Sequence, residues 1–544
     1  MHNKIKILNL ILGFIFTFII NGCTNNTKTS ILDNNTTKDD NTVLSSTIPI
    51  VTIQEDVENI ITKTDVNSTP SGNSTNEIND TVIINDNNIS TNHLPQYNYI
   101  PRTLPPQSMW YDVTQSSDIN CDGVKDDSNG FKALINDKTV TNWFIPESKT
   151  CKFFNITIQP HLKAIHGGGK IVVKGNQIAF HGTGSNTGAL ILSNNIDGLL
   201  IDNIDFSMDT EGWTYVEGKV WVDPWNTNGV IAISGKHNNE NIEIRNCNVD
   251  LTNAPMDFIK GYLSQPESKK VSNIAIVNNT IIGFQQFAIE ILGGGENLTF
   301  DKRPASNIKI LRNKFIPNKD SRLKRCISMP FLFFGEGLDG LKDGTESYIA
   351  DNWFIDVEWG METSGSSGIY VQNNLFTGKT RKAWHDLPEK RITGVGTYRN
   401  YYFHNVVIPN PTASLAYANG IPYNATYIEV GSGAKIYENY IGTKMVISKH
   451  KDVVESTING LHVHDNLFSI EGTDNIKIEK AVIFKDYPVE FSTFKDNEFY
   501  LNQTQTGLFT ESTENFINNE QVEFKPTIPS HWGLTVPASK VGAQ

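Results

Sequence analysis

Three acids and a histidine in this chain stand at nearly the same distance from a repeated apolar phrase. Asp257 in Pro255-Met256-Asp257-Phe258, Glu290 in Phe287-Ala288-Ile289-Glu290-Ile291, Glu362 in Trp359-Gly360-Met361-Glu362, and His385 each lie ten or eleven residues after the sixth position of a copy of that phrase. Carboxylates set among apolar neighbours and close to one another take different protonation states, one raised and one ionised, as acid and base roles require. Two carboxyls about 5–5.5 Å apart suit a retaining glycosidase, and a gap of roughly 6.5–9.5 Å leaves room for the water of an inverting one. The plain alternative for each acid is a structural one, accepting backbone or amide bonds or lying on a solvated face.

Other residues near these positions fit the same chemistry. Lys260, Arg325 and Arg381 could neutralise an acidic sugar or assist a β-elimination, and His385 beside Asp386 has the form of an oriented base. As single positions they are equally well read as surface charges. Trp213, Trp221 and Trp225, in the aromatic loop from Asp209 to Asn228, and Trp359 offer flat rings for the apolar faces of sugars.

The phrase itself is eight residues long: Ile274-Ala275-Ile276-Val277-Asn278-Asn279-Thr280-Ile281 alternates, bends at asparagine and resumes with an apolar residue, which is a strand, a turn and a strand. It returns at Leu199–Phe206, Ile242–Val249, Ile308–Phe315, Ser347–Phe354, Ile369–Phe376, Ala434–Ile441, Leu461–Phe468 and Ser492–Phe499, with a degenerate copy at Tyr401–Ile408. Sixth positions run Ile204, Cys247, Asn279, Asn313, Asn352, Asn374, Val406, Asn439, Asn466 and Asn497. Their mean spacing of about 33 residues is a solenoid period.

No copy is accompanied by an amphipathic helix, so helical repeats fit poorly. Short strands with Asn and Gly turns predict an all-β chain, a single-stranded right-handed parallel β-helix with an N-terminal cap and long loops on one face. Equivalent residues of neighbouring coils stack about 4.8 Å apart. The asparagines are therefore expected to form a structural ladder. In this register Asp257 and Glu290 are expected on adjacent coils, about 5 Å apart, and Glu290 and Glu362 two coils apart, about 9.6 Å.

The chain has 544 residues and a formal net charge of −13, which argues against a nucleic-acid groove. Lys4 and Lys6 precede an apolar run from Ile7 to Ile20 and then Asn21-Gly22-Cys23, an export signal. Its end resembles a bacterial lipobox, which implies lipidation at Cys23 and a membrane anchor; Ile20 and Asn21 depart from the usual residues, so simple cleavage or a retained anchor stays open. Residues 24–97 are rich in Asn, Thr, Ser and Asp and read as a disordered tether. Cys121 and Cys151 flank one segment and are candidates for a disulfide in an exported protein, and Cys247 reads as a buried thiol.

The ordered part opens with Trp110-Tyr111-Asp112-Val113 and then Asp122-Gly123-Val124-Lys125-Asp126-Asp127-Ser128 before a short helical patch. This run resembles the opening of the pectate-lyase-like β-helix family, which includes phage tailspikes and many polysaccharide-degrading enzymes. The resemblance implies a cap over the first coil in residues 98–160, a β-helix over 161–510 and a C-terminal extension over 511–544. It leaves open whether the solenoid forms a homotrimer, as tailspikes do. Asp118, Asn120, Asp122 and Asp126 have the alternation of a calcium loop; the other reading is a turn whose acids bond local backbone amides.

Together these features predict an exported, surface-tethered, carbohydrate-active protein that cleaves a polysaccharide by hydrolysis. A polysaccharide lyase and a non-catalytic glycan-binding or adhesin β-helix are the alternatives. The chain has no glycine-rich phosphate loop, and no cofactor beyond calcium is expected.

Overall fold

A computed structural model describes residues 97–174, 188–209, 228–252, 256–262, 271–284, 287–292, 305–318, 325–329, 346–386, 400–409, 415–416, 422–423, 427–431, 433–448, 458–470, 482–484, 489–490, 492–501 and 516–542. Within them the chain winds into three parallel sheets, a right-handed parallel β-helix. Two sheets have 14 strands and the third has 11 among the described residues. Cys23, Trp213, Trp221 and Trp225 lie outside the described residues.

Each copy of the phrase spans the corner between the first and second sheets. In the copy at residues 274–281 the first-sheet strand ends at Val277, Asn278 turns the chain, Asn279 points inward and the second-sheet strand starts at Thr280. The turning residue is left-handed in every coil from Asn203 to Asn518, with φ between 51° and 57°. That conformation costs a non-glycine residue roughly 1–2 kcal/mol. The inward asparagines offset it. Asn313 Oδ1 accepts both the backbone N–H of Asn279 and its Nδ2, each at 2.9 Å, while Asn279 Nδ2 also reaches the Ile244 carbonyl.

The same pattern continues through Asn352, Asn374, Asn405, Asn439, Asn466, Asn497 and Asn519. The degenerate copy departs from the expected marker Val406. The degenerate copy contributes Asn405 to the ladder, one residue before Val406, because its phrase begins at Asn400 and Tyr402 takes the inward place. Cys247 stands above the ladder, donating its N–H to Asn279 Oδ1.

The interior is a set of aligned apolar stacks. Phe315, Phe354 and Phe376 lie face to face at 5.0 and 4.5 Å, and all three are fully buried. Each such ring contributes about 1.5–3 kcal/mol through burial. At the N-terminal end the helix Ser128–Leu134 closes the core, setting Phe131 against Trp143 and Phe153. Cys121 and Cys151 are joined by a disulfide beneath it, and Cys247 is a buried free thiol whose pKa burial pushes up to about 12.

The acids of this cap are engaged locally. Asp122 Oδ1 accepts the N–H groups of Val124 and Lys125, and Asp126 accepts the N–H and hydroxyl of Ser128 while its other oxygen meets Lys174. These are the local bonds that the turn reading of this loop expects. No group of three or more His, Cys, Asp or Glu suited to a metal occurs among the described residues. No helix among those residues is long and apolar enough to cross a membrane.

Candidate functional site

The third sheet carries the chemistry-bearing residues, and a bend in its strands explains how. In Arg325–Ser328, Trp359–Glu362 and Lys382–Asp386 two consecutive residues face the core: Cys326 and Ile327, Gly360 and Met361, Ala383 and Trp384. The residues on either side then both point outward, three apart. Gly360 sits at the bend because a Cβ there would run into the Phe376 ring and the Ala383 carbonyl. The outcome is two parallel outer rows.

One row reads Ala232, Lys260, Glu290, Ser328, Glu362, His385 and Glu429 across successive coils. The other includes Asp257, Arg325, Trp359 and Lys382. The expected pairing of Asp257 with Glu290 is therefore corrected. The coil-to-coil neighbour of Glu290 is Lys260, because the turn that leads into Met256–Tyr262 is longer than the turn that leads into Ile289–Leu292, and a fixed count from the marker lands one row away. Glu290 and Glu362 do share a row, separated by Ser328.

Asp257 still belongs to the cluster through Lys260, whose ammonium contacts Glu290 directly and lies 3.6 Å from Asp257 Oδ2. All three are buried, at 0%, 7% and 1% exposure for Asp257, Lys260 and Glu290. Burial lowers the Lys260 pKa, and the Asp257 charge opposes that. One coil on, the Ser328 hydroxyl donates to Glu362 Oε2 at 3.1 Å.

The far end of the row is a second cluster. His385 Nδ1 lies 2.9 Å from Glu429 Oε2, the same oxygen contacts Lys382 Nζ, and Ser448 Oγ donates to Glu429 Oε1 at 2.9 Å. Burial lowers the His385 pKa against the pull of Glu429. Burial would raise the Glu429 carboxyl, but the contacts from His385 and Lys382 outweigh it and hold it well below the usual range.

The residue that orients His385 is thus Glu429, a correction to its pairing with Asp386. Asp386 is the next residue along the strand, so its side chain turns inward, where it accepts the Tyr402 hydroxyl at 2.9 Å. Burial raises it to about 7, although Tyr402, Asn400 and Thr363 all pull it down. Glu429 was missed because a long insertion separates it from the Asn405 marker. Its setting, Ile428-Glu429-Val430, repeats the apolar flanking of Glu290 and is the signal that would have found it.

Among the remaining candidates, Trp359 is sandwiched between cations, with the Arg325 guanidinium 3.8 Å and the Lys382 ammonium 4.4 Å from its ring centre. Its ring also lies 4.7 Å from that of His385. Arg381 turns away, pairing with Glu358 at 2.8 Å.

No protein-family model matches the chain, and no curated protein matches it. Among solved structures it is similar to the surface protein and adhesin PfbA of Streptococcus pneumoniae, with 13% identity, a TM-score of 0.41, and coverage of 76% of this chain and 98% of that one. It is similar to a hyperthermoactive exopolygalacturonase from Thermotoga maritima, with 14% identity, a TM-score of 0.37, and coverage of 75% and 92%. It is also similar to the catalytic unit of a thermostable GH87 alpha-1,3-glucanase from Streptomyces thermodiastaticus, with 13% identity, a TM-score of 0.42, and coverage of 77% and 69%.

Proposed function

We propose that the third-sheet row is the active site of an exported enzyme that hydrolyses a polysaccharide, with Glu290 and Glu362 as its acid and base. The observation that supports this reading is the register. Glu290 pairs with Ser328 and Ser328 with Glu362, so the two carboxylates stand on one outer row two coils apart. Two steps of strand spacing are about 9.6 Å. That is close to the gap that lets one carboxyl protonate the leaving oxygen while the other activates a water on the opposite face of the sugar. Trp359 and Arg325 in the neighbouring row would contact the glycan, and an elongated chain substrate suits a row that runs along the solenoid.

A second reading rests on the other cluster. The buried imidazole has a lowered pKa, and its Nδ1 lies 2.9 Å from the Glu429 carboxylate and 3.2 Å from Lys382 Nζ; in the tautomer with its proton on Nδ1, Nε2 would act as base in a β-elimination, with Arg325 to pair a uronate.

The test is a screen of neutral and acidic polysaccharides, following reducing ends and the ultraviolet absorbance of an unsaturated product together. Hydrolysis predicts reducing ends without absorbance, inverted anomeric configuration by NMR, and loss of activity in both Glu290→Gln and Glu362→Gln. Absorbance that disappears in His385→Ala would replace hydrolysis with elimination. Glycan binding without cleavage, by protein of native thermal stability, would leave a binding module.

A further inference from the structure

The outer face of the first sheet carries an apolar patch that a solenoid would ordinarily leave polar. Val277, Leu311, Tyr348 and Ala350 form a buried cluster outside the core, with Ala275 and Tyr370 at its margin. What covers it is an extended strap, residues 97–102. The Tyr97 ring lies 6.3 Å from that of Tyr348, and its hydroxyl donates to the Asp351 carboxylate. Tyr99 Oη donates to Glu243 Oε1 at 2.7 Å, and the other oxygen of Glu243 accepts the Arg102 N–H at 2.9 Å.

The Arg102 guanidinium then reaches the carbonyls of Asn241 and Gly198 at 2.6 and 2.7 Å, and Arg245 returns a bond to the Arg102 carbonyl at 2.9 Å. Six residues so bridge five coils, from Gly198 to Asp351. The strap takes no part in the sheet: no strand is formed between Tyr97 and Met109, and every bond just described involves a side chain. A groove of 180 Å³ remains beneath it, beside Tyr99, Asn273, Asn307 and Lys309. Ile100 points to solvent at 79% exposure. Pro101 lies within the strap and Pro105 and Pro106 follow it, so the strap joins the body through a stiff connector and can leave without breaking any ladder bond.

We propose that this face is a docking site for an extended Tyr-x-Tyr-x-x-Arg segment and that the strap of a second copy of the chain can occupy it, giving strap-exchanged assemblies. Exchange of an identical element makes no new kind of contact and is a low-cost route to association. The site reads two phenols through the Asp351 and Glu243 carboxylates and an arginine through carbonyls.

A labelled peptide of residues 94–104 is titrated into the full-length wild type and into full-length Tyr97→Ala/Tyr99→Ala, whose own strap is weakened. The variant is expected to bind the peptide at least tenfold more tightly than wild type, and adding Glu243→Gln and Asp351→Asn is expected to abolish that binding. Should the alanine variant fail to fold, Tyr97→Phe/Tyr99→Phe removes the hydroxyls alone and takes its place. In sedimentation, concentrated wild type is expected to form dimers that excess peptide returns to monomers. No peptide binding by a folded strap variant, absence of dimers, or dimers indifferent to the peptide would overturn the proposal.

Discussion

His385 Nδ1 faces the one oxygen of Glu429 that also contacts the Lys382 ammonium. A cation already sits against this carboxylate, so a proton on His385 would place a second positive charge beside Lys382, at a buried position. The folded protein therefore keeps the imidazole neutral below its ordinary pKa.

The first prediction is a pH dependence of stability. With its folded pKa below the unfolded value of about 6.5, His385 binds fewer protons folded than unfolded, so stability falls as pH drops below about 6.5. Glu429, also depressed, adds a further loss below about 4.5. Glu429→Gln keeps a hydrogen-bonding group and removes the charge. Histidine NMR should then show the His385 pKa lower still, and a rise would contradict the arrangement. Glu429→Ala, which withdraws the carboxylate from buried Lys382, should cost about 3–5 kcal/mol in urea unfolding.

Asp386 works with the opposite sign. Its carboxyl is raised from 3.8 to about 7 in the folded protein, which therefore holds a proton the unfolded chain has released. Stability should fall as pH rises between those values. Asp386→Asn keeps an acceptor and a donor at the same place without a charge. Its unfolding free energy in urea should match wild type near pH 4 and exceed it by about 1–3 kcal/mol above pH 7. Equal values across the range would mean that Asp386 is not raised.

The ladder predicts a position-dependent penalty. Asn374 Oδ1 accepts the N–H and Nδ2 of Asn352, while Asn374 itself donates to the Ile349 carbonyl and to Asn405. Asn374→Ala leaves several buried polar groups without their bonds at about 1–3 kcal/mol each, so a loss of about 3–5 kcal/mol is expected. The same change at Asn519, the last rung, should cost less than half as much. Comparable losses at both sites in chemical unfolding would contradict a continuous ladder.

Cys247→Asn should lengthen the ladder by one rung. The Cys247 N–H already meets Asn279 Oδ1 at 2.9 Å, as a ladder asparagine would, and a new Nδ2 would donate to the same oxygen. A gain of about 1 kcal/mol is expected from the added bond. A lower melting temperature would show that the place is too small for an amide.

Much of the coil was legible in the sequence because its signal is local. The alternation before Asn278 and the inward residue at Asn279 set a strand, a corner and a strand within eight residues, and nothing distant has to be known. The pairing of site residues depends instead on the turn into the third sheet, whose length varies from coil to coil. Counting from the marker found Glu290, Glu362 and His385 on one row, since their turns are alike, and displaced Asp257, whose turn is longer. Glu429 was out of reach of that count for the same reason. The bend that aims residues three apart outward has no signature beyond Gly360 and the apolar pair, so a strict period of two puts Lys382 and His385 on opposite sides.

In every coil from Asn203 on, the corner between the first and second sheets spends two residues, one left-handed and one inward, whereas the turn into the third sheet ranges widely. Inserted sequence should thus be accepted on one side of the coil and rejected on the other. A residue added between Val277 and Thr280 would break two rungs at once, but a residue added to the turn between Ile316 and Arg325, already longer than the one between Ile355 and Trp359, would leave the ladder intact. Change of sequence length can therefore collect on the face that bears Glu290, Glu362 and His385 while the frame stays the same.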